Sequence, residues 1–241
     1  ANNQIFNNQS KGIEASYSTI SNNQILENVG NGISCINQDT ISNNNISKNS
    51  GIGILDASNS IIQSNTITYN GGDGIKTSTL PKVNNNNIFS NTGYDFHATK
   101  QGSDTINAWN NYWGTSNIAD IRNKIYDYYD DGVTVKVKFG DYKTAEIPPL
   151  PVENFNTKTL SGGRVELSWN MQPKAFQYYI YHDKQTGRLD STNVWAIVDS
   201  SKTSYTAVLP DGDYVFGIKP VAKNGLEGSI SKRRKLPVTS E

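Results

Sequence analysis

Residues 43–75 read NNNISKNSGIGILDASNSIIQSNTITYNGGDGI, and this stretch decides the fold. Its asparagines and isoleucines belong to a longer periodic pattern. The string Asn-x-Ile recurs with steps of 20 or 21 residues, beginning at Asn3, Asn23, Asn44, Asn65 and Asn86. Disordered low-complexity sequence does not keep such a register. The first part of the chain is therefore predicted to be a repeat structure.

Each period carries three short pieces rich in β-branched residues, separated by Asn, Gly and Ser. Two apolar columns and a glycine column keep the same step: Ile13, Ile33, Ile54, Ile75 and Phe96; Ile20, Ile41, Ile62 and Val83; Gly12, Gly32, Gly53 and Gly74, ending at Asp95. Such pieces are too short for helices and suit strands joined by turns. A period of this length built from short strands indicates a solenoid, and scarce Leu argues against a leucine-rich repeat. We predict a right-handed single-stranded parallel β-helix.

The abundance of Asn has a structural explanation in this fold. The chain contains 31 Asn, and one column of them runs Asn8, Asn28, Asn49, Asn70 and Asn91. An inward Asn at a turn can bond its own backbone and the amide one coil above, which satisfies buried polar groups. We predict that this column is a structural ladder.

These repeats resemble the parallel β-helix repeats shared by pectate-lyase-like enzymes, carbohydrate-binding surface proteins and periplasmic NosD-type proteins. The resemblance covers residues 1–114 and implies their fold. It leaves the activity open, because such proteins include enzymes, binders and structural proteins.

Residues 115–146 are predicted to close the solenoid with a helix and a strand. Before them, Trp109, Tyr112 and Trp113 supply apolar area to cover the last Ile layer. The helix is expected to begin after Asn117 and to end at Asp130-Asp131-Gly132, with an apolar face of Ile118, Ile121, Ile125, Tyr128 and Tyr129. The alternation of residues 133–139 predicts one strand. The NNYWG string followed by a helix is similar to the ending of many bacterial surface β-helix proteins.

The chain begins inside a repeat, at Ala1-Asn2-Asn3. We therefore expect it to be part of a longer β-helix protein, with an open first coil that is available for self-association.

Residues 147–151 are predicted to be a Pro-rich linker, and residues 152–241 an antiparallel β-sandwich. This part resembles a fibronectin type III domain in its core Trp169 and in Tyr214, which follows Leu209 and Gly212 as in a tyrosine corner. The resemblance implies a spacer or adhesion module without catalysis. His182 is expected at the surface, near the end of a strand.

Charge and composition restrict the partners. The 22 basic and 22 acidic side chains cancel, so the broad positive field of a non-specific nucleic-acid binder is missing. No run approaches the length of a membrane span. No motif in the sequence predicts a cofactor. One glycine-rich loop, residues 70–74, slightly resembles calcium-binding repeats.

Two sets of residues are candidates for a site. A lyase would need a base and a cation beside carboxylates, and the register brings Lys76 next to His97, with Asp56 and Asp73 within about one coil. Sugar binding needs aromatic faces beside hydrogen-bonding groups. The candidates are Tyr69 and Tyr94, which flank Asn70 and Asn91 on successive coils, and Tyr17 on another turn.

The favoured interpretation is a non-catalytic, exported module at the cell surface that displays or binds extracellular polysaccharide or other surface proteins. One alternative is the C-terminal part of a polysaccharide lyase or glycoside hydrolase with its active coils upstream. The other is a structural subunit of a surface layer or filament.

Overall fold

The computed structural model describes residues 1–56, 59–184 and 189–239. The chain divides into two units, Ala1–Ile147 and Pro148–Glu241.

Three parallel sheets run along the first unit, and consecutive strands of the chain go to different sheets. The first sheet contains β1 (Gln4–Phe6), β4 (Gln24–Leu26), β7 (Asn45–Ser47), β10 (Thr66–Thr68) and β13 (Asn87–Phe89). The second contains β2 (Ile13–Ala15), β5 (Ile33–Cys35), β8 (Ile54–Asp56), β11 (Ile75–Thr77), β14 (Phe96–Ala98) and β16 (Ile125–Tyr126). The third contains β3 (Thr19–Ser21), β6 (Thr40–Ser42), β9 (Ile61–Gln63) and β12 (Lys82–Asn84).

The register within each sheet is the one that the repeat predicts. Ile25 pairs with Ile46 in the first sheet, and Ile33 pairs with Ile54 in the second. These inward isoleucines are fully buried. The prediction of a parallel β-helix is confirmed.

The predicted Asn column is a continuous ladder in the structure. In it, Nδ2 of Asn8, Asn28, Asn49 and Asn70 donates to Oδ1 of the next Asn at 2.8–3.0 Å. The backbone N–H of each donates to the same oxygen at 3.1 Å. A second ladder joins Asn3, Asn23, Asn44, Asn65, Asn86 and Asn111 in the same way. The side chains therefore satisfy backbone groups that the turns leave unpaired.

The glycine column is required by close packing between coils. A Cβ on Gly53 would lie 2.5 Å from the carbonyl oxygen of Gly74 and 2.7 Å from Cγ2 of Ile67. No side chain fits between backbones at that distance, so glycine directly precedes β2, β5, β8 and β11 of the second sheet.

The closing segment differs from the single predicted helix. Two short helices, α1 (Ile118–Arg122) and α2 (Tyr128–Asp131), flank β16, and β15 (Thr105–Asn107) pairs with β17 (Lys136–Lys138). Ile125 leaves the helical path because it pairs with Phe96 and extends the second sheet. The fully buried Asp127 then caps α2, accepting from the backbone N–H of Tyr129 and from Nη2 of Arg122 at 2.6 Å.

The aromatic residues of the NNYWG string have separate roles. Trp113 is 3% exposed and joins the core, whereas Trp109 is 45% exposed and does not cover the last Ile layer. Asn111 continues the second ladder and Tyr112 pairs with Asn87, so these residues extend the first sheet by one irregular coil.

The second unit is an antiparallel sandwich of two sheets. One contains β18 (Asn156–Leu160), β19 (Arg164–Ser168) and β22 (Ser204–Val208); the other contains β21 (Ala196–Asp199), β20 (Gln177–Lys184), β23 (Gly212–Val221) and β24 (Arg234–Val238). Trp169 is buried edge-on to Tyr178, and Oη of Tyr214 donates to the carbonyl oxygen of Pro210 at 2.9 Å. The predicted fibronectin type III-like fold and its tyrosine corner are confirmed.

His182 lies near the end of β20, as expected, but it is half-buried rather than fully at the surface. It pairs with Phe216 within the sheet, and its ring lies 4.5 Å from the ring of Trp195 and 5.5 Å from that of Tyr214, measured between centroids. Alternation along β20 directs it toward the same side as the core residue Ile180. Burial lowers the pKa of His182.

Candidate functional site

A cluster of polar and aromatic side chains lies at the outer face of the second sheet, where the last regular coil ends. We call Asp73, Tyr94, His97 and Tyr126 the His97 cluster. Nδ1 of His97 lies 2.8 Å from Oδ2 of Asp73, while Oδ1 of Asp73 accepts from the backbone N–H of Tyr94 at 2.8 Å. Both partners of the His97–Asp73 contact are largely shielded from water, with side chains 19% and 13% exposed.

Two tyrosine rings surround the imidazole of His97. Their centroids lie 5.3 Å (Tyr94) and 4.8 Å (Tyr126) from that of His97, and 5.3 Å from each other. Lys76 is the direct neighbour of His97 in the adjacent strand. The structure thus brings together three of the predicted residues, Lys76, His97 and Asp73, and adds Tyr94 from the predicted sugar-binding set.

A shallow, largely open cavity of about 440 Å³ lies beside this cluster. It is lined by Thr92, Gly93, Tyr94, Asp120, Asn123 and Lys124, so it lies between the turn before β14 and the end of α1. Nζ of Lys124 donates to the carbonyl oxygens of Asn91 and Gly93 at 3.0 and 2.8 Å, which ties α1 to the turn. The wall therefore offers an aromatic ring together with carboxylate, amide and hydroxyl groups.

Asp95 lies directly under this wall and ends the first Asn ladder. Its Oδ1 accepts from Nδ2 of Asn91 at 2.9 Å, in the place of the Asn that the next coil would supply. Burial raises the pKa of Asp95 to about 6, although the bonds from Asn91 and the charge of Lys124 oppose the rise.

Asp56, the remaining residue of the predicted catalytic set, is not part of the cluster. Thr77 pairs with Asp56 and both are fully buried, whereas Lys76 lies on the opposite side of its strand. Asp56 instead accepts from the hydroxyls of Ser60 at 2.8 Å and Thr79 at 3.2 Å inside the solenoid.

The other two predicted tyrosines lie outside the His97 cluster. Tyr69 follows β10 and is 61% exposed, with its ring 6.4 Å from that of Phe89. Tyr17 follows β2, on a different turn, and is 76% exposed.

Sequence reasoning missed Tyr126, Asp120 and Asn123. A signal for Tyr126 existed, because the second sheet needs a strand after Phe96 and Ile125-Tyr126 supplies a β-branched and an aromatic residue. The helical spacing of the surrounding isoleucines concealed it.

Among the described residues, no group of three or more His, Cys, Asp or Glu side chains is arranged to hold a metal ion. No helix in the described ranges has the length and apolar character that crossing a membrane requires.

Comparison with known proteins agrees with this architecture. Residues 2–117 match the family described as "Right handed beta helix region". No curated protein matches the chain. The matched residues lie in the first unit, whose strands form the parallel β-helix.

Several solved structures resemble part of the chain. An Fn3-like protein from Clostridium thermocellum is 24% identical, with 37% of this chain and 93% of that chain covered and a TM-score of 0.31. The third fibronectin III domain of human KIAA0343 protein is 17% identical, with 41% and 90% covered and a TM-score of 0.35. Chicken CNTN1 FN1-FN3 domains are 14% identical, with 44% and 34% covered and a TM-score of 0.33. This chain thus spans about a third of that chicken fragment.

Proposed function

We propose that this chain is a non-catalytic polysaccharide-binding module of an exported, extracellular or cell-surface protein. The observation that carries the proposal is the cavity beside Tyr94. Sugar rings pack against aromatic faces while their hydroxyls bond to carboxylates and amides. Tyr94, Asp120 and Asn123 supply these groups on one wall.

The geometry of the wall is fixed before a ligand arrives. Asp73 holds the backbone of Tyr94, the ring of Tyr94 packs against those of His97 and Tyr126, and Lys124 joins the turn to the end of α1. A preformed site loses little conformational entropy on binding, which favours affinity for a small, polar ligand. In this proposal the fibronectin type III-like unit is a spacer or adhesion module.

Affinity electrophoresis of the full chain in gels that contain soluble polysaccharides tests the proposal. We expect at least one polymer to retard the wild-type chain, and Tyr94→Ala to abolish most of the retardation. Phe6→Ala is the matched control, because Phe6 is an exposed aromatic residue on the first coil, several coils from the cavity, and it should behave as the wild type. Absence of retardation in every polymer, or equal losses for Tyr94→Ala and Phe6→Ala, would contradict the proposal.

A second candidate function is a lyase, and the His97–Asp73 contact favours it. Asp73 holds Nδ1 of His97, an arrangement that leaves the other ring nitrogen to accept a proton, and Lys76 across the strand pair could bind a substrate carboxylate. Assays on uronate polymers with and without calcium would detect the unsaturated product. A loss of that activity in His97→Gln would support this function, and its absence in the wild type would exclude it for this chain.

A further inference from the structure

Three aromatic rings form a row on the first sheet, and none of them belongs to the His97 cluster or lines the cavity beside Tyr94. We call Tyr69, Phe89 and Tyr112 the Phe89 row. The ring centroids of Tyr69 and Phe89 lie 6.4 Å apart, and those of Phe89 and Tyr112 lie 5.6 Å apart. Phe89 stands nearly edge-on to both neighbours, with interplanar angles of 74° and 69°.

The row runs diagonally across the first sheet, because its register drifts by three residues along the strands over two coils. Phe89 pairs with Thr68, which directly precedes Tyr69, and Tyr112 pairs with Asn87 of the same strand as Phe89. The three rings therefore come from three successive coils, about 4.8 Å apart along the axis. Gly114 lies against the base of the Phe89 side chain, since a Cβ there would lie 2.7 Å from Cβ of Phe89.

The rings remain accessible to a ligand. Tyr69 is 61% exposed, and Phe89 and Tyr112 are partly exposed. Together they form a strip of aromatic surface that the closing segment borders, since Ile147 bonds to the side chain of Asn87 and Lys143 pairs with Tyr112.

Two charged residues of opposite sign lie beside the row, in the coils that precede Tyr69. The turn position of Tyr69 is occupied by Lys48 one coil earlier and by Glu27 two coils earlier. Nζ of Lys48 lies 3.0 Å from Oε1 of Glu27. This border offers hydrogen-bonding groups without net charge, which suits a neutral partner better than an acidic polymer.

We propose that the Phe89 row binds an uncharged, extended polysaccharide along the line of its three rings. In a chain with a two-fold repeat, every second sugar presents the same face. Tyr69 and Tyr112 lie on either side of Phe89, with centroids 6.4 and 5.6 Å from its ring, so they can pack against sugars i and i+2 while Phe89 contacts the sugar between them. This inference rests on the proposed polysaccharide-binding function. It makes the Phe89 row a second site of contact with the polysaccharide, besides the cavity.

The test is calorimetric titration of the full chain with cellobiose, cellotetraose and cellohexaose, and with a galacturonate hexamer as the acidic probe. We expect affinity to rise at least about tenfold from cellobiose to cellohexaose, as a ligand long enough to reach the row gains aromatic contacts. Tyr69→Ala should remove this gain and leave cellobiose affinity unchanged, whereas Tyr69→Phe should keep it. Phe6→Ala is the matched control, since Phe6 is an exposed aromatic residue on the first coil, in the same column of the first sheet as Phe89.

The outcomes separate this inference from the function on which it rests. Affinity that does not grow with chain length, or that Tyr69→Ala leaves intact, would overturn the role of the row while binding at Tyr94 stands. Equal or tighter binding of the galacturonate hexamer would overturn its preference for an uncharged chain. If the chain binds none of these probes, the proposed role of the Phe89 row is wrong. The proposed polysaccharide-binding function itself fails only if no polymer retards the chain in the gels.

Discussion

The β-helix and the sandwich stabilise their interiors by different means. In the β-helix, Asn49 and Asn70 are buried and bond to copies of themselves one coil away. In the sandwich, strands are antiparallel and unlike residues face each other, so the interior contains aromatic and aliphatic residues such as Trp169 and Phe216. Parallel, in-register stacking allows a polar side chain to be satisfied by its own repeat, whereas antiparallel pairing offers no such neighbour.

The two units also contain buried groups that respond in opposite directions to acid. Asp95 in the β-helix has a raised pKa and His182 in the sandwich has a lowered one, and burial is the first cause of both shifts. Burial disfavours the charged form, which is the high-pH form of Asp and the low-pH form of His. Acid should therefore stabilise the first unit through Asp95 and destabilise the second through His182.

The largest expected effect comes from breaking the ladder. Asn49→Ala removes the acceptor of the backbone N–H of Asn28, one of the two acceptors of Nδ2 of Asn28, and the amide donor to the carbonyl of Ile25. With several buried groups unpaired, we expect the free energy of unfolding of the β-helix to fall by about 4 kcal/mol. Amide hydrogen exchange, read peptide by peptide, should show the loss in residues 1–147 alone. Unchanged protection there would show that the ladder contributes little.

The next effect tests close packing between coils. Gly53→Ala places a methyl group 2.5 Å from the oxygen of Gly74, and we expect the β-helix to lose about 3 kcal/mol or more, because backbone must move. Gly140→Ala is the control, since a Cβ there meets nothing within 4 Å. Equal thermal unfolding midpoints for both variants would contradict this explanation of the glycine column.

The pH dependence of the β-helix should follow Asp95. Its folded pKa of about 6 lies above the ordinary value of 3.8, so the folded chain takes up a proton first as the pH falls. Stability should rise between about pH 7 and pH 4, by roughly 3 kcal/mol for a shift of this size. Asp95→Asn keeps an acceptor for Asn91 and should remove this rise while stabilising the unit at pH 8. Denaturant unfolding at several pH values measures both.

A smaller loss is expected from the tyrosine corner of the sandwich. Tyr214→Phe removes one hydrogen bond, to the carbonyl of Pro210, and should lower the free energy of unfolding of residues 148–241 by about 1 kcal/mol. This single bond is the sandwich counterpart of the repeated bonds of the ladder. A loss as large as that of Asn49→Ala would contradict the contrast between the two units.

The smallest effect is expected at His182. Its folded pKa lies below that of the unfolded chain, so protonation favours unfolding, and stability should fall as the pH drops below about 6.5. His182→Phe keeps an aromatic ring against Trp195 and should abolish the fall. If the variant and the wild type lose protection in β20 equally between pH 7 and pH 5, His182 is not the cause.

The repeat region was predictable because each of its residues has its own copy as a neighbour. Once Ile25, Ile46 and Ile67 fall into one column, the strand register, the burial and the ladder of Asn follow from local chemistry. Part of the site was predictable for the same reason, since Lys76 and His97 are one repeat apart. Asp56 was grouped with Lys76 and His97 by distance alone, although alternation from the inward Ile54 directs Asp56 to the interior.

The closing segment was not predictable in this way. Ile118, Ile121 and Ile125 have helical spacing, yet Ile125 pairs with Phe96 because the open edge of the second sheet is available to it. That pairing places Tyr126 against His97. The end of α1 completes the cavity beside Tyr94.

The sequence by itself therefore determined the two fold types, the columns and the ladder, since repetition and alternation are properties of the chain. Only the tertiary structure decided the site. Its groups come from the turn before β14 and from the irregular closing segment, which no periodicity relates to one another, and long-range strand pairing brings them together.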